Sequence, residues 1–180
     1  MRHMAAALVA ICLVCGLLAA QSPESAKPIP LGFRSVQLGL DLETVKQLLL
    51  ADPYFDYRGD PDVTLLARPN ESLIECPGYL YVQRGYFQFY DNRLFVIILV
   101  LDRLKLDYYT VFTTLSERYG EPTSITPDEA VWLFDQVRLS VEQPLSVKYI
   151  DRPTFERLKN DGKEVEQLRQ LSKERFLEEL

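Results

Sequence analysis

The chain has 180 residues, 26 acidic and 20 basic side chains, one histidine and three cysteines. Its net charge of −6 argues against nucleic acid as a partner and against electrostatic attachment to an anionic membrane surface. Its length suits one domain with a real core, with room for a terminal appendage.

The first residues read MRHMAAALVAICLVCGLLAAQSPES. Arg2 and His3 form a short positive start, and Met4 to Ala20 is an uncharged apolar run ending in small residues. That layout is a secretory signal peptide over 1–20, with its best cleavage point after Ala20. The run is at the short edge of what crosses a bilayer, so a retained anchor is the second reading. Lipidation at Cys15 is disfavoured, because Val14 stands where a small residue is wanted. The expected location is the periplasm, with no integral membrane span once the leader is cleaved.

Cleavage would remove His3, Cys12 and Cys15 and leave Cys76 as the sole thiol. A mature chain without histidine cannot build a Ser-His-Asp or Cys-His site, nor a histidine-bound zinc or iron centre. No disulfide can form within it. Cys76 reads as a small buried apolar residue. Neither a cofactor nor a metal is expected.

Residues 21–32, QSPESAKPIPLG, read as an extended tether. Phe33, Val36 and Leu38 suggest a short strand that Gly39 breaks. Asp41 is a good N-cap for a helix over 42–51, whose Leu42, Val45, Leu48 and Leu49 share a face and which Pro53 ends. Residues 52–78 are irregular, with short strands near Val63–Ala67 and Leu73–Cys76. Asn70-Glu71-Ser72 matches a glycosylation acceptor but reads as an ordinary turn. A hairpin follows: LYVQRGYFQFY, then Asp91-Asn92, then RLFVIILVL. Phe87 and Phe89 take one face of its first strand, Tyr86 and Tyr90 the other. In its second strand Phe95, Ile97, Leu99 and Leu101 face one way and Leu94, Val96, Ile98 and Val100 the other. A strand apolar on both faces is covered on both sides. The candidate covers are the 52–78 segment, the C-terminal tail and another protein.

Asp107 caps a second helix that Gly120 stops and Pro122 keeps from resuming. AVWLF, VRLSVE and LSVKYI then form an antiparallel meander with one wet face. Pro153 suits the first turn of a helix to about Lys159, Asn160-Asp161-Gly162 reads as a stop, and a second helix runs on from Lys163 with a sparse Val165, Leu168, Leu171, Phe176 stripe. The domain plan is therefore a leader over 1–20, a tether over 21–32, an α+β domain over 33–151 and a C-terminal helical segment over 152–180. Helices pack on an antiparallel sheet, with two related helix-plus-meander halves suggested by the order of elements.

LGLDLETVKQLL, Leu38 to Leu49, resembles the entry segment of the small outer-membrane-assembly lipoproteins of the BamE type. LSERYGEP with the VW and VRLSVE that follow, Leu115 to Glu142, is similar to the helix end, turn and tryptophan-bearing strand of a broader group that includes β-lactamase-inhibitor-protein-like folds. The resemblance implies an exported, non-catalytic binding module with helices on a sheet. Residues 52–78 and the C-terminal helix depart from that pattern.

Paired carboxylates are the one catalytic kit left. Asp52, Asp56, Asp60, Asp62, Glu71 and Glu75 crowd one segment, and two acids at a set distance are what a glycosidase needs. Asp56-x-x-x-Asp60-x-Asp62 does not match a calcium loop, and solvated turn acids are the plainer reading. The aromatics Tyr54, Tyr57, Tyr79, Tyr81, Tyr86 and Tyr90 are the candidate interaction surface, since tyrosine-rich patches favour protein or glycan contact. The expected role is an accessory or protein-binding module of the cell envelope, partnered by another envelope protein. The alternatives are a carboxylate-dependent hydrolase acting on envelope glycans and an inhibitor of another exported enzyme.

Overall fold

The computed structural model describes residues 27–65 and 70–163. The leader and the Val165 to Phe176 stripe lie outside them. The fold is α+β. A two-residue strand β1, Gly32–Phe33, turns at once into β2, Val36–Gln37, so the single strand expected here is a miniature hairpin. Helix α1 spans Leu42–Ala51. Asp41 caps it twice: its carboxylate accepts the Thr44 N–H at 2.9 Å and the Thr44 hydroxyl at 2.7 Å. After a 3-10 turn at Asp60–Asp62 come β3 (Val63–Leu65), β4 (Glu71–Pro77), β5 (Val82–Tyr90) and β6 (Arg93–Leu101). Asp91 and Asn92 both have positive φ, which is what a tight hairpin turn between right-twisted strands requires.

Helix α2, Tyr108–Tyr119, repeats the first cap atom for atom: Asp107 accepts the Thr110 N–H at 2.9 Å and its hydroxyl at 2.7 Å. Gly120 ends it at φ 95°, ψ −174°, a conformation that favours glycine. Four strands follow, β7 (Ser124–Ile125), β8 (Glu129–Leu133), β9 (Val137–Glu142) and β10 (Ser146–Asp151). A third helix, α3, runs over 152–163, capped by Asp151 on the Thr154 N–H at 2.9 Å.

All eight strands from β3 onward share one antiparallel sheet in the order β3-β4-β5-β6-β10-β9-β8-β7. Each half is therefore a helix followed by a four-stranded meander, and the last strands of the two halves pair at the centre, Ile98 against Lys148. The relation suggested by the order of elements holds as a pseudo-two-fold arrangement.

The main core lies between α1, α2 and one face of the sheet, with Val45, Leu49, Leu115, Ile74, Phe87, Ile97, Leu139 and Trp132 all buried. A smaller cluster on the opposite, outer face joins Phe95, Val96 and Ile150 to Leu158 of α3. So the C-terminal segment covers part of the doubly apolar strand. Over its described residues it does so as a helix, 152–163, that Asn160-Asp161-Gly162 does not stop. A single glycine costs a helix only about 1 kcal/mol, and the apolar anchor at Leu158 offsets that cost.

One facing was also read wrongly from the sequence. Leu94 belongs to the main core and Phe95 to the outer cluster. The cause is a bulge: Gln88 pairs with Val96 while Phe89 pairs with Leu94, so Phe95 is the extra residue and the alternation slips by one. The second meander is not simply wet on one side either, since Val131 and Ser140 on the outer face are both buried.

Candidate functional site

Glu117 to Phe134, with its Gly-Glu-Pro corner and the only tryptophan, is a joint. The Trp132 indole N–H donates to the Gly120 carbonyl at 2.6 Å, and its ring lies 6.0 Å from Phe112 of α2. The strand after the turn is thereby pinned to the end of the helix before it.

The crowded acids of 52–75 are shared among separate partners. Asp52 is buried and accepts from Arg34 Nε at 2.9 Å and from the Tyr54 N–H at 2.9 Å. Asp62 is buried and takes the Arg58 guanidinium at 2.6 Å and its N–H at 2.9 Å. Burial pushes the Asp62 carboxyl up, but the bonds from Arg58 outweigh it and hold the group below its usual range. Asp60 faces Lys46 at 3.5 Å, Glu75 pairs with Arg84, and Asp56 bonds the Tyr79 hydroxyl. Among the described residues no three of His, Cys, Asp and Glu gather into a metal site. Cys76 is fully buried, and burial first, then the charges of Asp62 and Asp56, push its thiol up to about 12. It is a packing residue with almost no thiolate at neutral pH.

The six tyrosines do not form one surface. Tyr54 and Tyr57 sit on the core side. Tyr54 packs edge-on against Phe33 at 6.1 Å with the Arg34 guanidinium 5.0 Å over its ring. Tyr57 is only 7% exposed, and its hydroxyl has no hydrogen-bond partner among the described residues. Tyr86 and Tyr90 are half-buried on the outer face of β5. Tyr79 and Tyr81 are exposed in the β4–β5 connection at one end of the sheet.

Two surfaces emerge from this division. The first is the outer face of β4, β5 and β6. Register places Glu75, Tyr86, Ile98 and Lys148 in one row across the sheet, and Pro77, Arg84, Val100 and Ser146 in the next. Tyr86, Ile98, Val100 and Leu73 are half-buried there. On one side α3 covers Phe95 and Val96, with Arg157 set 5.0 Å over the Tyr90 ring. A groove of about 480 Å³ opens beside the helix, its lining including Gln88, Phe95, Phe155 and Leu158. On the other side lies a polar ladder. Arg138 pairs with Glu129 and bonds Ser140, and Glu142 takes both the Ser140 hydroxyl and Lys148. Burial raises the Glu142 carboxyl, yet Lys148, Ser140 and Arg138 bring it below its ordinary value.

The second surface is the end of the sheet where the β4–β5 connection meets the β6–α2 connection. The two are tied together: the Asp102 N–H donates to the Tyr81 carbonyl at 2.9 Å, and Lys105 Nζ donates to the Leu80 carbonyl at 2.7 Å. They present Tyr79, Leu80, Tyr81 and Leu104 to solvent, with Tyr109 of the first turn of α2 nearby in the chain. Sequence reading passed over Leu80 and Leu104. Leucines set singly between charges in the run DRLKLD were the available signal. Ile98 and Val100 read as apolar, but not as the half-buried part of their face.

A family model, the TP0088 domain, matches residues 31–161. The chain belongs to the TP0088 domain family. The matched span runs from β1 into α3, so this TP0088 domain takes in both halves of the sheet and the helix that crosses the outer face. No curated protein and no solved structure matches the chain. No helix among the described residues is long and apolar enough to cross a membrane.

Proposed function

We propose that this protein is an exported, non-catalytic binding module of the cell envelope, and that it holds another envelope protein on the outer face of its sheet. The observation that carries the reading is the strip of Tyr86, Ile98 and Val100, left half-uncovered between α3 and the Arg138–Glu142–Lys148 ladder. An apolar centre with tyrosine, bounded by charged pairs, has the composition of a protein interface. Charges at the margin select the partner and its register more than they add affinity. The leader-like N-terminus and the likeness of Leu38–Leu49 and Leu115–Glu142 to BamE-type modules support the same reading.

The test is photo-crosslinking in cells. A crosslinking side chain at position 86 or 98 is expected to capture one dominant envelope protein. The same group at Thr114, exposed on α2 on the far side of the sheet, is expected not to. Equal capture from both faces, or none from either, would overturn the proposal. Sequencing the N-terminus of this chain from the same cells checks the leader: a start near Gln21 agrees with cleavage, and a start at Met1 contradicts cleavage.

A further inference from the structure

The end of the sheet formed by the β4–β5 and β6–α2 connections carries a separate inference, which does not rest on the outer-face reading. Leu104 is 96% exposed, Leu80 58% and Tyr109 72%. Leu80 has φ 57°, a left-handed conformation costly for a residue with a branched side chain. A glycine or asparagine would make this turn with less strain. The leucine there adds little to the core, because its side chain points into solvent.

We propose that this end docks reversibly on the surface of a zwitterionic bilayer, with Leu80 and Leu104 entering the acyl boundary and Tyr79, Tyr81 and Tyr109 at headgroup depth. Three features favour lipid over a protein pocket. The apolar groups sit on the two connections at the sheet end, and the grooves beside α3 and against Leu31 and Phe134 are lined by other residues. A projecting leucine needs no complementary pocket in fluid lipid. The polar groups of the two turns are satisfied from within: Lys105 on the Leu80 carbonyl, Asp102 on the Leu104 N–H at 3.0 Å and on Lys105 at 3.1 Å. Entry into a poorly hydrogen-bonding layer therefore strands few of them. Finally, exposed leucine and tyrosine together on these connections are the pair of side chains suited to the acyl boundary and the headgroup layer respectively. A zwitterionic lipid fits because Asp102 and Asp107 flank Arg103 and Lys105 in the chain and Asp56 bonds the exposed Tyr79, so the charge here offers an anionic surface no net attraction.

The test uses the full chain purified from cells that express it, carrying Leu104→Trp. The native Trp132 is 2% exposed, so the unvaried protein supplies the background. Added phosphatidylcholine vesicles should shift the emission of the new indole to the blue, and brominated phosphatidylcholine should quench it. Adding Leu80→Ser should raise the lipid concentration needed by about tenfold, the order expected for losing one buried leucine. An indole that stays unshifted and unquenched at saturating lipid overturns the proposal, even where the leader alone carries the chain onto vesicles. So does quenching that Leu80→Ser leaves unchanged. An indole that responds only to an envelope protein, and not to lipid, overturns it in favour of a protein partner.

Discussion

In the first half of the sheet Cys76 faces Gly85 across β4 and β5. In the second half Trp132 faces Leu139 across β8 and β9. Counted outward from the central Ile98–Lys148 pair, these are corresponding positions. The small pair of the first half leaves a space that Phe55 fills from the irregular segment. A Cβ on Gly85 would lie 2.8 Å from the Phe55 ring, which stacks edge-on with Phe87 at 5.4 Å. The large pair of the second half fills its own space from the strands. One layout is thus filled by an aromatic from a loop in one half and from a strand in the other. Total volume at a site is what close packing conserves, whichever segment supplies it.

The comparison can be broken directly. Trp132→Ala and Phe55→Ala should each destabilise the domain by about 3–5 kcal/mol, read as a lower urea midpoint. A cost below about 1 kcal/mol for Phe55→Ala would mean that the loop ring is not the counterpart of the tryptophan. Next, Gly85→Leu imposes the second-half residue on the first half and should cost about 1–3 kcal/mol by overpacking. In the double variant Gly85→Leu, Phe55→Ala the loss should be smaller than the sum by at least about 1 kcal/mol, since each change makes room for or fills the other. Strict additivity would show that the two groups do not share a space.

The helix caps sharpen the comparison, because here the halves agree. Asp41→Ala and Asp107→Ala should lower thermal stability by similar small amounts. The Thr44 and Thr110 N–H and hydroxyl donors hold both carboxyls below their usual range. A lowered folded value means that this stabilisation is present above the unfolded carboxylate range and is lost as pH falls through the folded values. Melting curves of the two variants should therefore converge on the parent as the solution becomes strongly acidic. The smallest effect concerns Cys76: in mature folded protein it should stay unreactive to a thiol reagent at mildly alkaline pH, and react at the rate of global unfolding.

How much could be read in advance depended on the distance over which each signal acts. Helix α1 was expected over 42–51 and spans Leu42–Ala51, because its cap, stripe and terminating proline are local. Asp91-Asn92 and Gly120 were legible for the same reason. The slip at Phe95 was not, since a bulge depends on what the neighbouring strand offers opposite. Nor was the run of α3 through Gly162, which is supported by Leu158 docking on Phe95 and Val96 of β6, far away in sequence. The tyrosines were legible as a composition but not as a place: they fall on the core side, the outer face and one end of the sheet.

The order of helices and strands, their caps and turns, and the absence of histidine beyond His3 follow from the amino-acid sequence, because they depend on residues a few positions apart or on counting. The central pairing of β6 with β10 does not. It joins Ile98 to Lys148, and β6 is apolar on both faces, so alternation alone leaves its facing and its partner open. The tertiary structure decides both. Two helices claim one face and α3 claims part of the other: among its described residues Leu158 is the one buried, and it packs with Phe95, Val96 and Ile150, while Tyr86, Ile98 and Val100 stay half-buried.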